Sequence, residues 1–281
     1  MKTVIFACVH NAGRSQMAAA FFNLLADPAK ARAVSAGTQP AEKVHPEVQA
    51  VMSEAGVDLS QARPQRLTDE LARGAAKLIT MGCGEACPFV PGLQREDWGL
   101  EDPKGKPRER VRAIRDDIRA RVAALVLRED WSKTGHTLRP ARKEDRASIE
   151  TMLSAAGLPT AGAADHLPNF LVAEHAGELV AAAGLEHYGT SALLRSVVVR
   201  ADHQGTGLGA ALARAQLDIA TQRGCDAVFL LTTTAADYFE RFGFIRTDRA
   251  SLPAELHASE ELRGACPASA TVMRRASLYR T

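Results

Sequence analysis

The chain opens on a short apolar run, residues 4–7, which stops at Cys8; a polar loop containing Gly13 follows, then a run with helical periodicity over 16–25. This pattern predicts strand, loop and helix. A second strand is expected over 33–37, and Pro46 suits the first position of a helix reaching Gly56. A third strand over 77–81 runs into the loop 82–88. Residues 108–127 carry Val111, Ile114, Ile118, Val122 and Leu125 at spacings of three and four, the apolar face of one long helix. Strands alternating with helices predict a parallel sheet covered on both faces, with ligands at the C-terminal strand ends, where Cys8 and Cys83 both lie.

The pattern changes after residue 128. Residues 129–136 are polar around one glycine and break the helical period, so a linker is placed there. A strand over 136–140 and a helix over 143–156, with Asp145, Ile149, Met152 and Leu153 in rhythm, come next. Strands 170–175 and 178–185 flank Ala176-Gly177 as an antiparallel hairpin, another strand spans 193–200, and a glycine-rich loop leads to a helix ending near Gly224. The expected architecture is α/β with two domains. A parallel-sheet, three-layer domain occupies 1–131, a linker 132–137, and a mixed α+β domain 138–281.

Composition supports the division, since 281 residues exceed the usual size of one domain. A net charge of +2 with 24% charged residues provides no global field for nucleic acid or a membrane surface, so neither partner is expected. No apolar run approaches the roughly 20 residues that span a bilayer, and the opening run is too short for a leader, so a cytoplasmic location is expected. The five cysteines, Cys8, Cys83, Cys87, Cys225 and Cys266, form an odd set better suited to reactive thiols than to a disulfide framework.

The chemistry concentrates in the loop Cys8-Val9-His10-Asn11-Ala12-Gly13-Arg14-Ser15. A loop that leaves a parallel strand and opens a helix gathers backbone N–H groups and the positive helix end around one small volume, which favours an anion. Asn11, Ala12, Gly13, Arg14 and Ser15 are the expected oxyanion-binding residues; Gly13 is expected to permit the sharp turn, and Arg14 offers a planar fork of donors. The same N–H groups, with the Ser15 hydroxyl, favour Cys8 as a thiolate. A nucleophile therefore faces an oxyanion.

This constellation resembles the phosphate loop of low-molecular-weight protein tyrosine phosphatases. Arg14-Ser15-Gln16-Met17-Ala18 is similar, more narrowly, to the arsenate reductases built on that fold. The resemblance implies a phosphatase-like fold, attack of Cys8 on arsenate, and protonation of the leaving oxygen by an aspartate that precedes a proline, matched here by Asp102-Pro103; Glu101 is the competing residue. Cys83 and Cys87 admit three readings: zinc ligands, inert thiols, or a redox relay. A closed zinc site needs four ligands and no second pair follows in this half, so no metal is expected. A reductase must supply two electrons per turnover and uses further thiols, which a phosphatase does not need. In some thioredoxin-coupled reductases a further cysteine stands where this chain has Gly13, and their downstream pair is more widely spaced; related enzymes use a small-molecule thiol. The expected reductant is therefore an external thiol, thioredoxin-like or a small thiol with a glutaredoxin-like partner.

In the second half, Gln204-Gly205-Thr206-Gly207-Leu208-Gly209 makes a nest for pyrophosphate. With Tyr238-Phe239-Glu240-Arg241-Phe242-Gly243-Phe244, it resembles the GNAT-type N-acetyltransferases. That resemblance implies acetyl-CoA as cofactor, with phosphate held by 204–209 and the pantetheine arm bonded by the backbone of Val197 and Val199. The tail Cys266 to Thr271 is similar to acetyltransferases grouped with arsenic resistance. The family's acid tyrosine usually sits where this chain has Phe239; Tyr238, one position earlier and about 100° around a helix, is the candidate acid. Glu186 is the candidate for deprotonating or binding the amine. Arg195 is either a binder of a substrate acid group or a solvated strand residue.

The sequence thus predicts a two-domain arsenic detoxification protein that reduces arsenate by a Cys8 nucleophile and acetylates a small amine. Its rivals are a tyrosine phosphatase joined to an acetyltransferase, and a non-catalytic sensor of oxyanion and acetyl-CoA.

Overall fold

The computed structural model describes residues 1–82 and 90–276. The chain forms two compact units: Met1–Val126 with Trp131–Thr134, and Leu127–Asp130 with Gly135–Thr281.

In the first unit, β1 (Lys2–Cys8), α1 (Arg14–Leu25), β2 (Ala31–Gly37), α2 (Pro46–Glu54), α3 (Asp69–Arg73), β3 (Lys77–Thr80), β4 (Gln94–Asp97) and α4 (Arg108–Arg128) follow in order. The sheet has strand order β2-β1-β3-β4, and every pair is parallel. Val4, Ile5, Phe6 and Ala7 have no exposed surface because β1 is central and covered on both faces, which is why the run reads as continuously apolar. Phe6 packs with Met17, Phe21 and Phe22 of α1 and with Ile114, Ile118 and Val122 of α4, while Ile5 and Ala7 pack on the other face with Leu67 and Leu78. Helix α2 starts with Pro46 at its first turn and Glu47 near the positive end, and Thr68 caps α3 by accepting from Leu71 N–H.

The sequence reading omits α3 and β4. Strand β4 is Gln-Arg-Glu-Asp, with no apolar residue to mark it, and it exists through tertiary context alone. Its register with β3 runs from Lys77 opposite Gln94 to Thr80 opposite Asp97, reinforced by the Lys77 Nζ–Glu96 Oε1 pair at 2.9 Å and a Thr80–Asp97 hydrogen bond.

The second unit contains β5 (Thr137–Pro140), α5 (Arg146–Ala155), β6 (Phe170–His175), β7 (Glu178–Tyr188), β8 (Ser191–Val199), α6 (Leu208–Gln222), β9 (Ala227–Thr232), α7 (Ala236–Glu240), β10 (Ile245–Thr247) and β11 (Thr271–Ala276). The mixed sheet has order β10-β11-β9-β8-β7-β6-β5. The expected helix over 143–156 divides into a 3₁₀ turn, Lys143–Asp145, and α5. Asp145 belongs to the turn: its carboxylate accepts from Arg142 N–H at 2.6 Å and is clamped by Arg139, so it closes the turn ahead of α5 and does not continue the helix's apolar rhythm.

Two features of β8 shape this unit. Its parallel pairing with β9 covers only Ser191 to Leu193, so the strands separate beyond Leu193. Against β7, the register steps from Gly184–Arg195 to Ala182–Val198, so Ser196 and Val197 oppose the single residue Ala183. This bulge holds Ser196 at φ 56°.

Candidate active sites

In the first unit the loop after β1 folds around the Cys8 sulfur. Asn11 N–H donates to Sγ at 3.2 Å, and Ser15 Oγ lies 3.0 Å from it. Asn11 Nδ2 donates to Ser15 Oγ at 2.8 Å, while Asn11 Oδ1 accepts from Gln65 N–H at 2.8 Å and from Gln16 Nε2 at 3.3 Å. The buried Asn11 side chain thus ties the loop to α1 and to the distant segment at Gln65. Its backbone occupies the left-handed region at φ 49°, which asparagine tolerates better than most residues.

Gly13 acts differently from the expected turn residue. Its φ is −141°, and the positive-φ position belongs to Asn11. Glycine is needed at 13 because a Cβ there would lie 2.8 Å from Pro103 Cγ. The same approach fixes the Asp102-Pro103 segment against the loop. Arg14, only 7% exposed, donates from one nitrogen to Asp102 Oδ2 at 2.8 Å and from another to Leu100 O at 2.9 Å. Glu101 turns away to Lys106 and Arg110, whose hydrogen bonds hold its carboxyl below the usual range against a smaller opposing effect of burial. The structure brings Cys8, Asn11, Gly13, Arg14, Ser15 and Asp102 together. Cys83 and Cys87 lie outside the described residues. Gln65 is a contributor that sequence reasoning missed, since nothing local marks it.

In the second unit, Gly205 and Gly207 stand at φ 76° and 90°, backbone that side-chain-bearing residues rarely adopt, and neither would-be Cβ has a neighbour within 4 Å. Gly207 caps α6 in the left-handed region. The turn is fastened by Thr206 Oγ1 donating to His203 O at 2.7 Å and Gln204 Nε2 to Val199 O at 3.2 Å. A Cβ on Gly209 would lie 3.3 Å from Tyr238 Oη and 3.4 Å from Val199 Cγ2, so Tyr238, the first turn of α6 and the end of β8 meet. Phe239 packs instead against Phe242 and Phe244. Burial pushes the Tyr238 phenol above its ordinary value, leaving it protonated at neutral pH.

Glu186 and Arg195 occupy a separate, buried network. Arg195 donates to Glu186 Oε1 at 2.5 Å, Ala161 O at 2.7 Å and Ser196 Oγ at 3.1 Å, and lies 3.2 Å from Glu261 Oε1. It is 3% exposed, so neither reading of a solvated strand residue nor of a binder of substrate acid fits: its donors are committed to protein oxygens. Burial would raise the Glu186 carboxyl, but hydrogen bonds from Ser259, Tyr188 and Arg195 outweigh it and hold it below the usual range. Among the described residues no helix is long and apolar enough to cross a membrane, and no group of three or more His, Cys, Asp or Glu side chains is arranged to hold a metal ion.

Residues 3–141 match the family model of low molecular weight phosphotyrosine protein phosphatases, and residues 125–244 that of the GNAT acetyltransferases. The glutaredoxin arsenate reductase of Synechocystis sp. is 35% identical over 131 residues, covering 46% of this chain and 98% of the relative. The N-terminal half belongs to the arsenate reductases of the phosphatase fold. The C-terminal half is a GNAT acetyltransferase domain, so the chain joins two enzymes. Among solved structures, the thioredoxin-dependent arsenate reductase of Corynebacterium glutamicum is 40% identical and covers 44% of this chain and 60% of its own, with a TM-score of 0.39. Rv2747 of Mycobacterium tuberculosis, solved with CoA, is 20% identical and covers 50% of this chain and 99% of its own, with a TM-score of 0.44. The phosphatase-family match spans a loop whose sulfur accepts from Asn11 N–H and lies within hydrogen-bonding distance of Ser15 Oγ.

Proposed function

We propose that the first domain reduces arsenate to arsenite through Cys8 and an external thiol, and that the second transfers an acetyl group from acetyl-CoA to a small primary amine, both in the service of arsenic detoxification. The observation that carries the first reading is the Cys8 sulfur held by Asn11 N–H and Ser15 Oγ beside the buried Arg14. Arsenate oxygens replace Asp102 and Leu100 O as acceptors for Arg14, with the loop N–H groups completing the cradle. Cys8 Sγ attacks arsenic, and Asp102, released from Arg14, protonates the departing oxygen. A second thiol then attacks Cys8 Sγ; the sulfur–arsenic electron pair stays with arsenic, arsenite leaves, and the two sulfurs become a disulfide. The dependence on reduced thiols fits a cytoplasmic location. Cys8→Ser is expected to abolish arsenate-dependent thiol oxidation while sulfate and arsenate still bind; residual turnover within tenfold of wild type rejects the assignment.

Acetyl-CoA fits the second domain because the open, left-handed Gly205 and Gly207, and the β8 edge freed beyond Leu193, leave room for a pyrophosphate and an extended arm. The 204–209 turn and the α6 N-terminus hold phosphate, and the backbone of Val197 and Val199 holds the arm. Bound there, it supplies an activated acyl group. Tyr238 keeps its proton and offers it to the departing sulfur. The amine is expected to be amino-acid-like. Gly207→Asp puts a carboxylate and a strained φ into the nest, so calorimetric acetyl-CoA binding is expected to vanish with arsenate reduction intact; unchanged binding rejects the nest.

A further inference from the structure

Amide formation from an alkylamine requires removal of a proton from an ammonium ion before attack. Glu186 is ill-suited to that task. It is fully buried, with Oε1 bonded to Arg195 and Oε2 accepting from Tyr188 Oη at 2.6 Å, and those bonds keep its carboxyl below the usual range. Neither oxygen has an open face toward an incoming amine.

Beside the partly exposed Tyr188, one further side chain extends this network to solvent. His166 Nε2 lies 3.7 Å from Glu186 Oε2, the His166 side chain is 26% exposed, and its ring meets Tyr188 edge-on at 6.2 Å between centroids. His166 stands at the N-terminal end of the 3₁₀ turn Leu167–Asn169, which leads into β6. The same stretch of chain supplies Ala161 O to Arg195, and Gly162 sits so close to Arg195 that a Cβ would meet its Nη1 at 3.1 Å. Arg195 precedes Ser196, the bulge residue where β8 has left β9. From the freed part of β8, the contacts therefore run Arg195, Glu186, His166, and only the last reaches water. Among the described residues, Glu186 and Tyr188, both on β7, face this imidazole, with Arg195 and Glu261 behind them.

Resting on the acetyltransferase reading above, we propose that His166 is the general base of the acetyl transfer and that Glu186 is its positioning residue. An ionised carboxylate facing Nε2 favours the tautomer with its proton on Nε2, leaving the Nδ1 lone pair for the substrate. The separation of 3.7 Å exceeds a hydrogen bond and closes when substrate binds, as catalytic contacts in free enzymes commonly do. One ammonium proton passes to Nδ1 of His166. The freed nitrogen forms the C–N bond as the C–S bond breaks; Tyr238 gives its proton to sulfur, and the second nitrogen proton restores Tyr238. Amide, thiol and one proton, later released from His166, balance the reaction.

The test compares two acceptors in the full-length protein: an alkylamine amino acid such as L-glutamate, protonated at pH 7, and an arylamine such as 4-aminobenzoate, whose nitrogen is already neutral. With His166→Gln, kcat/KM for the alkylamine is expected to fall about 100-fold while that for the arylamine changes less than threefold, and calorimetric acetyl-CoA binding stays at wild type. Equal losses for both acceptors, or none, overturn the proposal. Long-range nitrogen NMR of wild type saturated with CoA and L-glutamate is expected to show His166 protonated at Nε2 alone at pH 8, and Glu186→Gln to mix the tautomers; an Nδ1–H imidazole in that complex overturns it without any turnover. A wild-type protein that fails to bind acetyl-CoA rejects the acetyltransferase reading itself, and the proposal with it.

Discussion

Gly37 lies 29 residues beyond Cys8 in sequence, yet it is opposite Cys8 in the β1–β2 register. A Cβ on Gly37 would sit 2.7 Å from Val9 O and 2.9 Å from both Asn11 N and Asn11 Cβ. None of these atoms is the end of a flexible side chain, so Gly37→Ala must push the loop backbone away by about half an ångström to restore ordinary contact. Cys8, paired with Gly37 and backed by the sheet, stays. Asn11 moves relative to it, and with it the N–H that donates to Sγ at 3.2 Å and the amide that braces Ser15.

Overpacking of this kind costs about 1–3 kcal/mol. The first unit has about 130 residues, for which 1 kcal/mol corresponds to about 4 °C in Tm, so a loss of about 4–12 °C is expected. Misplacement of a reacting group by 1 Å costs about 100-fold, so half that displacement predicts a fall of about tenfold in kcat/KM for arsenate. Scanning calorimetry and arsenate-dependent thiol oxidation measure the two effects. Gly74→Ala is the control: Gly74 has φ −80° and its would-be Cβ meets nothing closer than 3.7 Å, so both quantities should stay at wild type. A Gly37→Ala protein with wild-type Tm and kcat/KM refutes the claim that this contact holds the loop.

The second unit should lose stability on mild acidification. Burial, then the neighbouring His175 and His203, hold the His136 imidazole below its ordinary value of 6.5; the unfolded chain therefore binds the proton first, and stability falls as pH drops below about 6.5, by up to about 1.4 kcal/mol per unit. Melting between pH 5 and 7 checks this, and His136→Gln should flatten the dependence. Each unit has its own sheet and core, so chains 1–134 and 135–281 should each unfold cooperatively when expressed alone; a second piece that is insoluble without the first refutes independence.

The legible parts of the chain were those where one local signal carries the structure. The continuous apolar run of β1, the Pro46 start of α2, and the Ala176-Gly177 hairpin all appear where periodicity and turn chemistry place them. The Cys8 loop was legible because its residues are contiguous. Strand β4 was not, because its four polar residues are held only by β3 and side-chain bonds. The same reason hid Gln65, whose backbone N–H meets Asn11 from 54 positions away. Arg195 read as a substrate binder or a solvated strand residue and Glu186 as a group for the amine, and only the packing of Ala161, Ser259 and Glu261 over them shows that they are buried partners. The candidate acid turned on direction: Phe239 joins the aromatic core, so the hydroxyl near α6 comes from Tyr238.

The route of electrons to Cys8 can be narrowed by thiol chemistry. Exchange requires an accessible thiolate. Cys225 is 3% exposed and its thiol is pushed up by burial; Cys266 is 9% exposed, and burial with the adjacent Glu261 pushes it up to about 12. Both thiols are buried and held protonated at neutral pH, so neither residue of the second unit is expected to serve as a resolving thiol. The expected resolving thiol is then Cys83, Cys87 or an external thiol. Cys83 is the first cysteine in sequence after β3, the strand that pairs with the Cys8 strand, and is expected to attack first, with Cys87 then resolving it. A single turnover without added thiol should release one arsenite and leave an internal disulfide, found by mass spectrometry on Cys83 with Cys8 or Cys87. Cys225→Ser and Cys266→Ser should leave that yield unchanged. The double variant Cys83→Ser, Cys87→Ser should release none until a small thiol is supplied. If that variant retains full multiple turnover with small thiol and a glutaredoxin-like partner, and wild type shows only a mixed disulfide of Cys8 with the small thiol, the internal relay is rejected and electrons arrive at Cys8 from outside.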